Sequence, residues 1–153
     1  MLRRQYAISI SAVLGLALCG CALFSGDPRL IPVQSAPPTA GAYSQGTVFD
    51  GMLFTAGVFP GDPKTGVLVQ GDITAQTHRV LDSVESILRK AGCTMQDVVK
   101  VNVYLADFRD QAKMDEVIAA RFGANRPLRT TVPAARLQGP ALLEVDFVAR
   151  IPQ

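Results

Sequence analysis

The sequence contains few of the residues that build metal and redox sites: one histidine and three cysteines among 153 residues. The histidine, His78, has no cysteine or histidine partner at ligand spacing, which argues against a zinc site and against a histidine-based catalytic triad. Its place in a helical pattern predicts a helix-surface residue. Cys93 follows Gly92, which is expected to end that helix, and it is interpreted as a small core residue.

The chain also lacks a run or stripe of basic residues. It has 15 Lys and Arg against 13 Asp and Glu, but two of the basic residues, Arg3 and Arg4, precede Cys21 and no acidic residue does. Residues 21–153 therefore carry 13 charges of each sign. A neutral domain without a basic surface does not offer the contacts that a phosphate backbone requires, so we expect no nucleic-acid partner.

The N-terminus has the pattern of an export signal. Two arginines precede an apolar run over residues 7–18, which is short for a membrane span. In "LCGC", Leu18 lies three residues before Cys21 and Gly20 lies directly before it. This arrangement resembles the lipobox of bacterial lipoproteins and implies cleavage before Cys21 and lipid on its thiol. The alternatives are an uncleaved anchor helix and a plain signal peptide.

This interpretation divides the chain and predicts its location. Export would remove Cys19 and lipidate Cys21, so Cys93 would be left alone and no internal disulfide is expected. Several acyl chains would make membrane attachment stable. We expect an exported lipoprotein on the periplasmic face of a membrane, and Ala22 favours the outer membrane. The predicted segments are a lipoprotein signal peptide (1–20), the lipidated cysteine with a flexible tether (21–38) and a folded domain (39–153).

The folded domain shows alternating strand and helix signals. Asp50-Gly51 between two β-rich runs predicts a hairpin, and "DPKTG" at 62–66 predicts a turn. Apolar residues at helical spacing predict a helix from the N-cap Asp72 to Ala91, with Gly92 as its stop. The later elements are a strand over 97–107, a helix over 110–122 ended by Gly123, and strands over about 128–134 and 142–150.

The middle strand is expected to have one apolar and one polar face. The residues assigned to the packed face are Val99, Val101, Val103 and Leu105, and those assigned to the polar face are Lys100, Asn102 and Tyr104. The order β-β-(β)-α-β-α-β-β implies an α+β fold, a mixed sheet with both helices on one face. Its other face needs a cover, which predicts a homo-oligomer.

The last two strands carry the candidate site. Arg129 and Thr131 share one face of their strand, and Glu144 and Asp146 share one face of theirs. If Arg129 and Glu144 lie on the same side of adjacent strands, a cation and a carboxylate line one cleft. The alternative is a cross-strand ion pair of little energetic weight.

Several motifs together resemble the RidA (YjgF) family of enamine/imine deaminases. They cover about residues 35–150 and are, in chain order, "GAYSQG", "FTAGVFP" with "DPKTG", "VVKVNVYLADF", "RPLRTTVPAARL" and "LLEVDFVA". The resemblance implies a chorismate-mutase-like α+β fold and a homotrimer whose sites lie between subunits.

The resemblance also implies roles for individual residues. Arg129 is expected to grip a substrate carboxylate, Glu144 to orient or activate water, and Tyr43 to form the cleft wall, with Asn102 facing the same cleft. Tyr43 as a packed aromatic and Asn102 as a solvated strand residue are the alternatives.

Two positions depart from the pattern of many family members. Ala56 stands where many have serine, and Thr131 where many have cysteine. Thr131 can still offer a hydroxyl group, or it can be a β-former with no role.

The activity implied is hydrolysis of reactive 2-imino or enamine acids to 2-oxo acids and ammonia, without a metal or organic cofactor. The alternative is a non-catalytic, lipid-anchored trimer that binds small carboxylates or a protein partner. Ribonuclease activity, proposed for family members, is disfavoured by the neutral charge and the export signal.

Overall fold

Two α-helices cover one face of a six-stranded mixed sheet in the computed structural model, which describes residues 29–31 and 43–153. The strands are β1 (Arg29–Ile31), β2 (Gly46–Phe49), β3 (Met52–Thr55), β4 (Val98–Leu105), β5 (Leu128–Pro133) and β6 (Leu143–Arg150). The helices are α1 (Ile73–Lys90) and α2 (Gln111–Phe122). A short 3-10 turn follows α1 at Met95–Asp97, and another directly precedes α2 at Phe108–Asp110.

The strand order across the sheet is β1-β2-β3-β6-β4-β5. Only β4 and β5 run parallel, because α2 connects them and returns the chain to the same end of the sheet. This arrangement confirms the predicted α+β fold. Strand β1 was not predicted; it pairs with β2 and lies within the segment interpreted as a tether. The third strand, given in parentheses in the predicted order, is not formed as a strand. The segment between β3 and α1 makes two isolated bridges instead, which join Val58 to Val145 and Gly61 to Leu68.

The predicted turns are confirmed. Asp50 and Gly51 both have positive φ, 50° and 69°, which is the two-residue hairpin geometry that matches the twist of β2 and β3. In the second turn, the Asp62 carboxylate accepts from the backbone N–H groups of Lys64 at 2.9 Å and Thr65 at 2.8 Å.

Helix α1 begins and ends as its sequence predicts. The Asp72 side chain caps it by accepting from Ala75 N at 3.0 Å, and Gly92 follows with φ of 80°, a value that a side chain would strain. Gly123 ends α2 in the same way, with φ of 60°. The helices bury the predicted apolar residues against each other and the sheet: Ile73, Val80, Leu81, Val84, Ile87, Leu88 and Ala91 from the first, and Met114, Val117, Ile118 and Phe122 from the second.

The alternation of β4 is confirmed from Val101 onward and wrong at its start. Val101, Val103 and Leu105 are buried, but Val98 is buried in place of Val99. The pairing of β4 with β6 shifts register between Val98 and Lys100, and this irregularity turns Val99 outward.

The lone cysteine of the folded domain and the single histidine lie where the sequence predicts them. Cys93 is buried in the core and His78 is exposed on α1, as predicted. Cys21 and the signal segment lie outside the described residues. Within 29–31 and 43–153, no helix is long and apolar enough to cross a membrane.

Candidate functional site

A cluster of hydrogen-bonded polar side chains lies on the sheet face away from the helices. In the antiparallel pairing of β4 and β6, Asn102 is opposite Asp146 and Tyr104 is opposite Glu144. Their neighbours along each strand are buried, so these four side chains share the outer face. Asn102 Nδ2 donates to Asp146 Oδ1 at 2.8 Å, and Tyr104 Oη donates to Asp146 Oδ2 at 3.0 Å. The carboxylate of Asp146 is therefore held from two sides.

Glu144 lies directly against the backbone of Gly57. A Cβ atom at position 57 would stand 1.8 Å from Glu144 Oε1, so only glycine leaves room for this carboxyl group. Two backbone hydrogen bonds between Val58 and Val145, of 2.7 and 3.0 Å, hold the Gly57 segment beside β6. The Thr55 hydroxyl replaces the next pair of backbone bonds, because it accepts from Phe147 N at 3.0 Å and donates to Phe147 O at 3.3 Å. Glu144 lies half-buried against Gly57 beside this break in the β3–β6 pairing, in a recess of the outer sheet face.

The surroundings of Glu144 and Tyr104 raise the pKa of both groups. Burial raises the pKa of Glu144 above its ordinary value, and the negative charge of Asp146 raises it further. The hydrogen bond to Asp146 raises the pKa of Tyr104, and the charges of Asp146 and Glu144 act in the same direction. A half-buried carboxyl group that has a raised pKa is suited to accept and return protons.

Arg129 lies on the other face of the sheet. It stands beside Val101 in the parallel pairing of β5 with β4, and the Val101 side chain belongs to the core under the helices. Its Nη1 donates to Asp115 Oδ1 at 2.6 Å, and its Nη2 donates to Asp115 Oδ2 at 3.1 Å. The side chains of this ion pair between β5 and α2 are 31% and 35% exposed, respectively.

Arg129 and Glu144 therefore do not lie on the same side of adjacent strands, which was the condition for a cleft lined by both. β4 separates β5 from β6, and the two side chains point to opposite faces. The alternative of an Arg129–Glu144 ion pair is wrong for the same reason, since the partner of Arg129 is Asp115. If the two residues act together, they do so between two chains.

Thr131 stands beside Val103 and shares the face of Arg129. Its Oγ1 is buried and has no hydrogen-bond partner among the residues that the structure describes. Arg129 and Asp115 border a groove of about 400 Å³ between α2 and the start of β5. The rest of its wall is mainly apolar and is formed by Val101, Ile118, Ala119, Phe122, Asn125, Arg126 and Pro127.

Ala56 directly precedes Gly57, against which Glu144 packs, and the segment after Tyr43 pairs with it through the backbone. Ala56 N donates to Gln45 O at 2.9 Å, so the segment that begins at Tyr43 runs beside the Ala56–Gly57 segment. The Tyr43 side chain is 52% exposed, so in the described chain it is not a packed aromatic residue. Asn102 is not simply solvated either, because Asp146 binds its amide.

Three contributors to the site were missed in the sequence. Gly57 could have been suspected, since a glycine inside a strand pattern often marks a close approach. Tyr104 shares the period-two face of Asn102, so its position was predicted but its contact with Asp146 was not. Asp115 gave no signal, because only the packing of α2 on β5 brings it to Arg129. No cluster of three or more His, Cys, Asp or Glu able to hold a metal ion occurs in the described ranges.

Comparison with known proteins identifies the family. Residues 33–151 match the family described as Endoribonuclease L-PSP. The chain belongs to this family. A RutC family protein of Pyrococcus horikoshii is 45% identical over 121 residues, which are 79% of this chain and 96% of the relative. The 2-iminobutanoate/2-iminopropanoate deaminase of Salmonella typhimurium is 34% identical over 124 residues, which are 79% of this chain and 96% of that enzyme.

A solved structure gives the same assignment. RidA from an Antarctic Psychrobacter is 32% identical and aligns with a TM-score of 0.77, covering 80% of this chain and 99% of that one. The resemblance to the RidA family is thereby confirmed. The family includes proteins named as imine deaminases and others named only as RutC family proteins.

Proposed function

We propose that this RidA-family chain is a hydrolytic deaminase that converts 2-imino and enamine acids to 2-oxo acids and ammonia. The observation that carries the proposal is the setting of Glu144, a half-buried carboxyl group with a raised pKa, fixed against Gly57 at the position of the family's acid. The relative from Salmonella typhimurium with the deaminase name supports the reaction class.

The active site in this proposal is shared between subunits of a homotrimer. In this arrangement Arg129 of one subunit would act with Glu144 of the next. Within one chain the two side chains point to opposite faces, so they do not meet there. Strand β5 is the sheet edge that carries Arg129, and its Leu128 is 74% exposed in the single chain. An exposed apolar residue at a free sheet edge supports contact with a neighbouring subunit.

The reaction needs one fixed carboxylate and one proton carrier. Arg129 binds the substrate carboxylate and so places the imine carbon near a water molecule. Glu144 takes a proton from that water as its oxygen bonds to the imine carbon, and the C=N double bond becomes a C–N single bond. Starting from a protonated imine, this gives a C(OH)–NH2 group, and Glu144 then returns the proton to its nitrogen. The C–N bond breaks and ammonia leaves as the C=O bond forms, and Glu144 takes the hydroxyl proton and releases it to solvent.

Paired substitutions test this function. In Arg129→Lys the charge remains but the planar fork is lost, and in Glu144→Gln the shape remains but the basicity is lost. We expect each to lower kcat/KM on an enzymatically generated imino acid by about 2–4 kcal/mol in transition-state free energy, with little change in Tm. Unchanged turnover by the folded Arg129→Lys protein would refute the assignment.

A second function, binding of small carboxylates or a protein partner without turnover, is favoured by one observation. Asp115 already occupies the Nη1 and Nη2 atoms of Arg129. A chain in which this ion pair is only structural would lose stability in Arg129→Lys but not in Glu144→Gln, and would show no imine hydrolysis above the uncatalysed rate.

We also propose that the chain is an exported lipoprotein attached to a membrane through Cys21. The sequence "LCGC" after a short apolar run supports this location. Replacing Cys21 by serine should move the protein from the membrane fraction to the soluble fraction. Retention of the Cys21→Ser protein on membranes after a high-salt wash would point to another anchor.

A further inference from the structure

Arg129 is neutralised by a residue of its own chain. Its Nη1 and Nη2 atoms donate to the two carboxylate oxygens of Asp115, at 2.6 and 3.1 Å. A guanidinium group binds carboxylates bidentately through this end or through the side formed by Nε and one Nη. Asp115 therefore uses one of the two positions from which Arg129 can hold a substrate carboxylate.

We propose that Asp115 is a specificity-determining residue, which competes with the substrate carboxylate for Arg129. This inference rests on the proposed function, because that function assigns Arg129 to the substrate carboxylate. Asp115 lies on α2 and Arg129 on β5, both side chains line the groove, and both are about one-third exposed.

Both ways of binding a substrate carboxylate are weakened by Asp115. If the ligand takes the Nη1–Nη2 end, it must first displace Asp115. If it takes the Nε side, the negative charge of Asp115 stays close to the negative charge of the ligand. The two side chains are about one-third exposed, so solvent limits the effect to about fivefold in a dissociation constant.

The remaining wall of the groove indicates where binding energy comes from instead. Val101, Ile118, Phe122 and Pro127 line it with apolar surface. When the charge attraction is reduced, contact with this wall contributes a larger share of the affinity. The substrates favoured by such a site are 2-imino acids with apolar side chains.

Binding of a 2-oxo acid to the full-length protein tests the competition without requiring turnover. Isothermal titration with pyruvate should give a Kd about fivefold lower for Asp115→Asn than for the wild type. Methyl pyruvate has no carboxylate, so its Kd should not change. Asp115→Glu restores the negative charge and should bind pyruvate like the wild type. Glu116→Gln removes the same charge from an exposed position of the same helix and should leave both constants unchanged.

The outcomes separate this inference from the proposed function. Weaker or unchanged pyruvate binding by Asp115→Asn overturns it and makes Asp115 a structural partner of Arg129. An equal gain in Glu116→Gln also overturns it, since the effect would then be one of net charge. Failure to detect pyruvate binding in either the wild type or Asp115→Asn overturns it as well. Failure of the deaminase function appears elsewhere, as unchanged imine turnover in Arg129→Lys.

Discussion

Gly57 is required by its neighbour rather than by its own backbone conformation. Its φ is outside the left-handed region that favours glycine, and the constraint is the Glu144 carboxyl group packed against its Cα. Contacts at 1.8, 2.8 and 3.2 Å from a hypothetical Cβ involve three atoms of the same side chain. Any larger residue at 57 must therefore move Glu144.

Gly57→Ala should reduce activity far more than stability. The alanine pushes the flexible end of Glu144 out of its recess, and a displacement of about 1 Å in a catalytic group can cost about 100-fold in rate. We expect kcat/KM to fall by about that factor while Tm changes by only a few degrees, measured by imine hydrolysis and thermal unfolding.

A double-mutant cycle identifies the cause of this loss. In the Glu144→Ala background the clash is absent, so Gly57→Ala should then have no further effect on Tm. An equal loss of Tm in both backgrounds would mean that the backbone at 57, and not Glu144, rejects the methyl group.

The sequence predicted which residues lie in strands, and on which face, better than it predicted their contacts. Arg129 and Glu144 were correctly expected to lie in strands, and alternation correctly placed Asn102 on the polar face. Alternation alone cannot tell which face of β5 matches which face of β6, because that depends on the register of β4 between them. The expected Arg129–Glu144 pairing failed for this reason.

The pairing of β4 with β6 places Asp146 where, beyond the effect of burial, its charge raises the pKa of Glu144. Asp146 receives hydrogen bonds from Asn102 and Tyr104 on β4. Its charge then acts on Glu144, two residues away on the same face. Around Glu144 the other groups are Gly57 and Ala56 from the segment after β3, with Lys100 and Arg150 farther along the same polar face.

Asp146→Asn should move the acidic limb of the pH–activity profile to lower pH. Burial remains as a cause of the raised pKa of Glu144, but the repulsion from Asp146 disappears, so the pKa falls and the carboxylate persists at lower pH. The pKa of Tyr104 should fall as well, which ultraviolet titration of tyrosinate can follow.

Asp50→Asn is the matched control, because Asp50 is exposed in the β2–β3 turn near the far end of β6. Asparagine tolerates its positive φ, and the profile should not shift. An acidic limb that stays in place in Asp146→Asn would show that Asp146 does not tune Glu144.

The elements themselves were largely predictable from local signals. Caps, stops and hairpin residues are read from neighbours a few positions apart, and the bounds of α1 and α2 matched them closely. Strand β1 was not predictable in this way. Its three residues are too few to show the alternation that indicates a strand. They form a strand because the free edge of β2 offers backbone groups to pair with.

The fold of the single chain does not bring the two halves of the proposed site together. Arg129 and Glu144 lie on opposite faces, so the association of subunits decides whether a site exists. Oligomers that contain two different variants therefore distinguish a site shared between chains from one that is complete within a chain.

Mixing the Arg129→Lys and Glu144→Gln variants should restore activity that neither has alone. Random assortment in a homotrimer leaves about one interface in four with both native residues, so we expect about a quarter of the wild-type rate. Co-expression followed by an activity assay measures it. The baseline is the activity of the two variants folded separately and then combined without subunit exchange. If the co-expressed protein is no more active than this baseline, a site shared between subunits is refuted.

Strand β1 makes the two borders of the sheet unequal. It covers β2 on one border, whereas β5 leaves the other border open to a partner. A truncated chain that starts at Gln34, just after β1, would replace this three-residue border strand by β2 and expose the backbone groups of β2. Such a protein is prone to chain-to-chain strand pairing and aggregation, so truncations meant for crystallisation or titration should begin upstream of Arg29.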